Sequence, residues 1–355
     1  MDQYRIDSHK LMYHVPRVHE WLQGKIIYPI YMEISPTGAC NHRCVFCAKD
    51  FMGYEKKSLD IAMMKERLKE MAALGVRSIM FAGEGEPLLH EHFAEMVKYT
   101  KACGMDVAIT TNGVLLGDAL SSKILDQVEW IKVSINAGTK ETYAKIHRAP
   151  KKDFDQVIEN IAKAARRNEN HHGRCVIGMQ MLLLPENRHE AATLAKIARE
   201  AGAKYLVIKP YSQHHASETK IYEEISYEDS MELADLLETF NSDRFRVVFR
   251  ANAMRHWDKG ELGFPHCLAL PFWSYVDSSG NLWGCSAYLK DDRLLYGNLY
   301  DQNFKEIWEG EKRKKAVSDV ETKPIVDQCR VNCRMGEINR YLWALKVPPP
   351  HVNFI

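Results

Sequence analysis

The chain has 355 residues, 46% of them hydrophobic and 27% charged, with a formal net charge of +1. That balance suits a soluble protein with one large domain, or one large and one small, and offers no broad electrostatic case for nucleic acid or a membrane surface. No run of 18 apolar residues and no signal-peptide pattern occurs, so the cytoplasm is the expected compartment, and seven of the nine cysteines, in clustered or motif-like positions, are expected to serve metal rather than disulfides.

Residues 1–29 are an N-terminal extension, after which strands and helices alternate. The apolar run at 30–35 reads as a strand that leads into a cysteine-rich loop. A helix is expected over 60–74, where Ile61, Met64, Leu68 and Met71 recur at spacings of three and four. Further strands are expected at 78–83, 106–113, 130–136, 175–184 and 205–210, with helices at 90–103, 117–127, 153–170 and 188–201. A polar, histidine-rich loop follows at 212–225, then a helix at 226–240 and a strand at 245–250. From about residue 255 the pattern shifts to Gly, Pro, Trp and four more cysteines, with little helix before 303. That shift marks a second, smaller domain, in which 272–285 reads as a hairpin with its turn at 278–281. The proline-rich tail, 346–355, reads as an extended cover.

Six strands alternating with helices indicate an α/β fold with a parallel sheet of βαβ units. Periodicity does not separate an open doubly wound sheet from a barrel, but both place ligands at the carboxyl ends of the strands. Polar residues gather there: the cysteine loop after the first strand, Glu84 and Glu86 after the second, Asn112 after the third, Asn136 after the fourth and Lys209 after the sixth.

Cys40, Cys44 and Cys47 have the spacing C-x3-C-x2-C, which lets three thiolates converge on one metal centre. A cubane iron–sulfur cluster held by three cysteines keeps one iron open for chemistry. Zinc is the alternative, although its sites usually offer ligand pairs that total four, and His42 inside the loop is poorly placed as a fourth. Cys267, Cys285, Cys329 and Cys333 number enough for one closed [4Fe–4S] cluster or for tetrahedral zinc. Cys103 and Cys175 fall at a helix end and a strand start, and are expected to be structural, on the opposite rim. His214 and His215 follow the sixth strand, as substrate contacts or as plain loop residues.

The first cysteine loop, with Phe46 before Cys47, resembles the signature of the radical S-adenosylmethionine superfamily. The resemblance implies a partial (β/α)6 barrel and a [4Fe–4S] cluster whose open iron is chelated by S-adenosylmethionine, which is cleaved to a 5′-deoxyadenosyl radical. The run 83–87 resembles the family's Gly-Gly-Glu-Pro motif, with Glu84 where glycine is usual; Gly85, Glu86 and Pro87 are then expected at the methionine ammonium. Asn112 stands in what looks like the family's third strand end. Ser134 and Asn136 occupy positions the family uses for ribose and carboxylate, Arg148 is spaced to suit the methionine carboxylate, and Met179 lies where the family packs adenine. Cys267, Gly280 and Cys285 resemble the opening of a SPASM/Twitch extension, and the four later cysteines then imply one auxiliary [4Fe–4S] cluster in a small C-terminal iron–sulfur domain.

The expected organisation is a barrel over 30–250, the auxiliary domain over 251–345 and a tail over 346–355. The expected activity is hydrogen abstraction from a small polar metabolite, such as a sugar or aminocyclitol. It ends in oxidation or in another radical rearrangement such as epimerisation or a lyase reaction, with flavodoxin or ferredoxin as the type of electron donor. The family's dehydrogenases that act on aminocyclitol alcohols look similar. A peptide-modifying enzyme is the alternative; such enzymes often carry a leader-binding winged helix before the barrel, for which 29 residues are few. A non-enzymatic zinc-binding protein is the distant third.

Overall fold

The computed structural model describes residues 4–171, 173–322 and 329–354. Its strands are β1 (Tyr31–Ile34), β2 (Ser78–Phe81), β3 (Asp106–Thr111), β4 (Trp130–Ser134), β5 (Val176–Leu182), β6 (Tyr205–Lys209), β7 (Arg246–Phe249), β8 (Trp273–Val276), β9 (Asn281–Trp283) and β10 (Leu295–Asn298). The helices are α1 (Val15–Leu22), α2 (Ile61–Ala73), α3 (Phe93–Ala102), α4 (Asp118–Ile124), α5 (Lys140–His147), α6 (Lys151–Asn170), α7 (Ala191–Glu200), α8 (Glu232–Glu238), α9 (Ala251–Lys259), α10 (Phe304–Glu309), α11 (Glu311–Thr322) and α12 (Gly336–Lys346). No described helix is long and apolar enough to cross a membrane.

All strands belong to one sheet, in the order β10-β9-β8-β1-β2-β3-β4-β5-β6-β7. Strands β1 to β7 run parallel and pair strictly in chain order. A doubly wound sheet reverses its order at a switch point; this one does not, so the winding is that of an incomplete barrel. The hairpin β8–β9 was expected in a separate unit, yet β8 pairs in parallel with β1 and carries the sheet onward.

Alternation along the strands decides which side chains meet the core. On β5, Ile177, Met179 and Met181 are buried in the main apolar cluster with Val157 and Ile161 of α6 and Leu194 of α7. Helix α2 packs as its spacing predicts: Asp60 caps it, accepting from the Met63 N–H at 2.8 Å, and Met64, Leu68 and Met71 are fully buried. A smaller cluster joins Leu11, Val18 and Trp21, in and just before α1, to Leu268, Phe272 and Leu342. The N-terminal extension is thereby packed against the C-terminal part of the chain.

Three expectations need correction. The stretch ahead of 153 holds a separate helix, α5, capped by the Thr139 hydroxyl, and Arg148 in left-handed backbone (φ 48°) ends it before Pro150 opens the way to α6. Helix α9 occupies 251–259, where little helix was expected. Residues 346–354 are exposed and form turns over 350–353 rather than an extended cover.

Candidate active site

The carboxyl ends of the parallel strands open into a cavity of about 530 Å³. Cys40, Cys44 and Cys47 all line it, together with Phe46, Gly85, Glu86, Asn112 and Ser134. The loop that carries the cysteines is held from two sides. Helix α5 accepts the Arg43 N–H at its His147 carbonyl (3.2 Å) and the Val45 N–H at its Ile146 carbonyl (2.8 Å), while the Glu86 N–H donates to the Ala39 carbonyl at 2.8 Å. Gly85 permits this approach: a Cβ there would lie 2.2 Å from the Thr37 carbonyl oxygen and 2.5 Å from that of Ala39.

Two of the three thiols have a defined side-chain neighbour. Cys44 Sγ lies 3.3 Å from His147 Nδ1, and His147 Nε2 is 2.8 Å from the Ile135 carbonyl, which makes Nε2 the protonated nitrogen. Burial holds the His147 imidazole down to about 3, so it is neutral. The Tyr54 hydroxyl hydrogen-bonds Cys47, and the Arg43 guanidinium stacks over the Tyr54 ring at 4.2 Å. Burial pushes the Cys40 thiol up to about 11 and that of Cys44 well above its ordinary value, with each cysteine's neighbours adding to the rise. Such thiols stay protonated at neutral pH until a metal displaces the proton. His147 was not foreseen; the signal would have been a helix over 140–147 running back to the cysteine loop. His42 pairs with Asp153 at 3.1 Å instead of turning to a shared centre with the three cysteines.

Several expected cofactor contacts stand elsewhere. Glu86 lines the cavity, but both its oxygens are already engaged, by the Thr111 hydroxyl (2.5 Å), the Asn112 N–H (2.8 Å) and the Leu88 N–H (3.2 Å); burial raises its pKa against these donors. Pro87 starts a short 3₁₀ turn behind the rim. Asn136 is buried and ties β4 to β5, its Oδ1 accepting the Leu182 N–H at 2.7 Å, so it does not face the cavity. Arg148 is an exposed helix end outside the cavity lining. Met179 belongs to the helix-side core, and Gln180, the next residue along β5, is the one that lines the cavity. His214 stacks on Phe51 at 4.4 Å and His215 at 4.6 Å; with Asp50 accepting from Ser217 and Thr219 they pin the loop after β6 to the cysteine loop without lining the cavity. Cys103 and Cys175 sit at the opposite rim, before β3 and β5.

The four later cysteines come together. Cys267, Cys285, Cys329 and Cys333 line one small, almost wholly apolar pocket with Leu270, Trp273 and Leu294. Burial raises Cys267 to about 12 and Cys285 to about 11, while a hydrogen bond from Cys329 holds Cys333 low. Cys333 also lines the large cavity. Glu84 fastens the two regions together: its carboxylate accepts the Tyr275 hydroxyl at 2.5 Å and the Ser278 N–H at 2.8 Å.

A model of the radical SAM superfamily matches residues 34–198, and a model of the SPASM iron–sulfur cluster-binding domain matches 267–334. The chain is 31% identical over 231 residues to a probable GTP 3′,8-cyclase of Methanothermobacter thermautotrophicus, covering 60% of this chain and 70% of that protein. It is 30% identical over 188 residues to the GTP 3′,8-cyclase of Chlorobaculum tepidum, covering 52% of this chain but only 55% of that relative. In fold it is similar to Streptococcus suis SuiB bound to S-adenosylmethionine, with a TM-score of 0.68 at 15% identity over 88% of this chain and 72% of that one.

Proposed function

Because this chain belongs to the radical SAM superfamily and carries a SPASM domain, we propose that it removes a hydrogen atom from a small polar metabolite held in the large cavity, and that the reaction ends as an oxidation. Its cofactors are a [4Fe–4S] cluster that binds S-adenosylmethionine and an auxiliary iron–sulfur cluster. The residues fit both. Three partly buried thiols face the cavity as a set too small to close a cubane, and four more line a separate apolar pocket and suffice to close one. In this reading Cys40, Cys44 and Cys47 hold the first cluster, and Cys267, Cys285, Cys329 and Cys333 the second.

When bound, the first cluster and S-adenosylmethionine supply a 5′-deoxyadenosyl radical, and the auxiliary cluster supplies an acceptor for the electron a substrate radical gives up, with a proton, on becoming a carbonyl. The chain's own part is placement. Phe46, Gly85, Asn112 and Ser134 form the wall beside the first cysteine loop and are the contacts proposed for S-adenosylmethionine. The Asn112 amide donates to Asn41 Oδ1 at 2.7 Å, which ties the β3 end to that loop. Glu86 shapes this wall by joining the β2 and β3 ends, and does not offer a free carboxylate.

The observation that carries the reading is that Cys333 lines both spaces, so a substrate in the cavity touches the wall of the auxiliary site. A cavity of about 530 Å³ is also of the size that takes compact metabolites, which favours them over a peptide. The test is anaerobic turnover of the reconstituted, reduced enzyme with candidate polyols and sugar phosphates. One 5′-deoxyadenosine per carbonyl formed is expected, and Cys329→Ala should keep S-adenosylmethionine cleavage while losing the oxidised product. Deuterium returning from 5′-deoxyadenosine to an unoxidised product would sink the oxidation reading.

A further inference from the structure

We infer that Lys132, Lys209 and Arg250 on the barrel side, faced by Arg334 from the auxiliary loop, form an oxyanion site that holds a phosphate monoester of the substrate. The inference rests on the large cavity being the substrate site and names the class of substrate it takes. Lys132 lies in β4, Lys209 ends β6, and Arg250 follows β7, whose Arg250 N–H donates to the Ile208 carbonyl at 2.9 Å. All four side chains line the cavity.

The acids of that cavity are accounted for. Asp7 pairs with Arg250 at 2.9 Å, Glu33 with Arg334, and Glu337 with Arg340. Glu84 and Glu86 are taken by hydroxyl and backbone donors. Among the described residues no carboxylate is ion-paired or hydrogen-bonded to Lys132 or Lys209; Glu33, already paired with Arg334, acts on Lys132 only through space. The Lys132 ammonium lies over the Trp130 ring, 5.5 Å from its centroid. Lys209 is surrounded by the positive charges of Lys132, Arg250, Arg334 and Arg330. The auxiliary centre does not explain these two lysines: the cations set against it are Arg334, beside Cys333, and Lys49 and Arg330, which donate to the Ser286 carbonyl and hydroxyl at 3.0 Å each, next to Cys285.

Two partly buried ammonium groups that line a cavity, have no directly paired carboxylate and face other cations are costly to a fold and are kept where a ligand completes them. A phosphate monoester, which carries about −1.5 to −2 at neutral pH and three terminal oxygens, offsets the cations crowded here and favours the charged form of both lysines. A single carboxylate brings half that charge and two oxygens. The two lysines supply six N–H donors between them, and the paired arginines supply more.

The test is calorimetric titration of the cluster-loaded, S-adenosylmethionine-bound protein with inorganic phosphate and, separately, succinate. Phosphate should bind the native protein, and its Kd should rise at least ten-fold in Lys132→Gln and in Lys209→Gln. Lys163→Gln, on the exposed face of α6, should not change it. Lys209→Met should raise Tm without phosphate and abolish the rise that phosphate gives the native protein; this arm reads the site even if a glutamine variant folds poorly. Phosphate affinity unchanged in Lys209→Met, or succinate binding tighter than phosphate, overturns the inference. 5′-Deoxyadenosine formed without substrate is measured in the same samples: its presence beside absent phosphate binding fails this inference alone, and its absence fails the proposed function.

Discussion

Glu84 stands where the related motif has glycine, and the structure gives it a task of its own. Its carboxylate satisfies two buried donors, Tyr275 Oη–H and the Ser278 N–H, on the C-terminal hairpin. Glu84→Ala leaves both buried donors without their acceptor, which costs about 2–4 kcal/mol; the expected outcome is a Tm several degrees lower, checked by calorimetry. The inner lysines give the opposite sign. Burial first, and then Arg334 and Arg250, lower Lys132 from 10.5 to about 8. Below about pH 8 both folded and unfolded chains bind that proton, and the full penalty of burying the ammonium is present. As pH rises from about 8 towards 10.5 the folded lysine has already lost its proton while the unfolded one still holds it, so the penalty disappears. Lys132→Met is therefore expected to raise Tm at pH 7, by an amount on the order of 1–3 kcal/mol in stability once water in the cavity is allowed for, with a smaller gain at pH 9.5. Equal gains at both values would show that the lysine carries no such penalty.

At the scale of elements, alternation and turn chemistry explain what the sequence let one read. The strands, their parallel pairing and the collection of polar residues at one rim follow from short apolar runs separated by amphipathic helices. Parity within a strand is hard to read on β5, where Gln180 is the single polar side chain among apolar residues on both faces. Met179 turns to the helices and Gln180 to the cavity, and only pairing with β4 and β6 fixes that. Asn136 was legible as a polar residue near the rim but not as a strand tie, whereas for Arg148 a solvated helix end was one of two readings the sequence offered, and the structure takes it. The loop between β1 and α2 depends on a close backbone approach, and Gly85 is its weak point. Gly85→Ala pushes a methyl group into the Thr37 and Ala39 carbonyls. Iron analysis should find roughly four irons per chain instead of roughly eight, with the auxiliary centre retained. A full complement would mean that the loop yields without losing its metal.

Across the whole molecule, the hairpin was legible from its turn residues, while its joining of the barrel sheet was not. That joining is a long-range pairing of β8 with β1, reinforced by the packing of Leu11, Val18 and Trp21 against Leu268, Phe272 and Leu342. The cation wall was also hidden in a chain whose net charge is only +1, because its members come from β4, β6, the end of β7 and the segment between Cys329 and Arg334. That last segment has a consequence of its own. Two of its cysteines face the apolar pocket, and Arg330, Arg334 and Cys333 face the cavity. On the proposed reading, one short stretch of chain both grips the second metal centre and offers guanidinium groups to the substrate. Assembly then acts as a proofreading step: a chain without its second centre has no finished receptor, and so takes in little substrate that it would be unable to carry through to product.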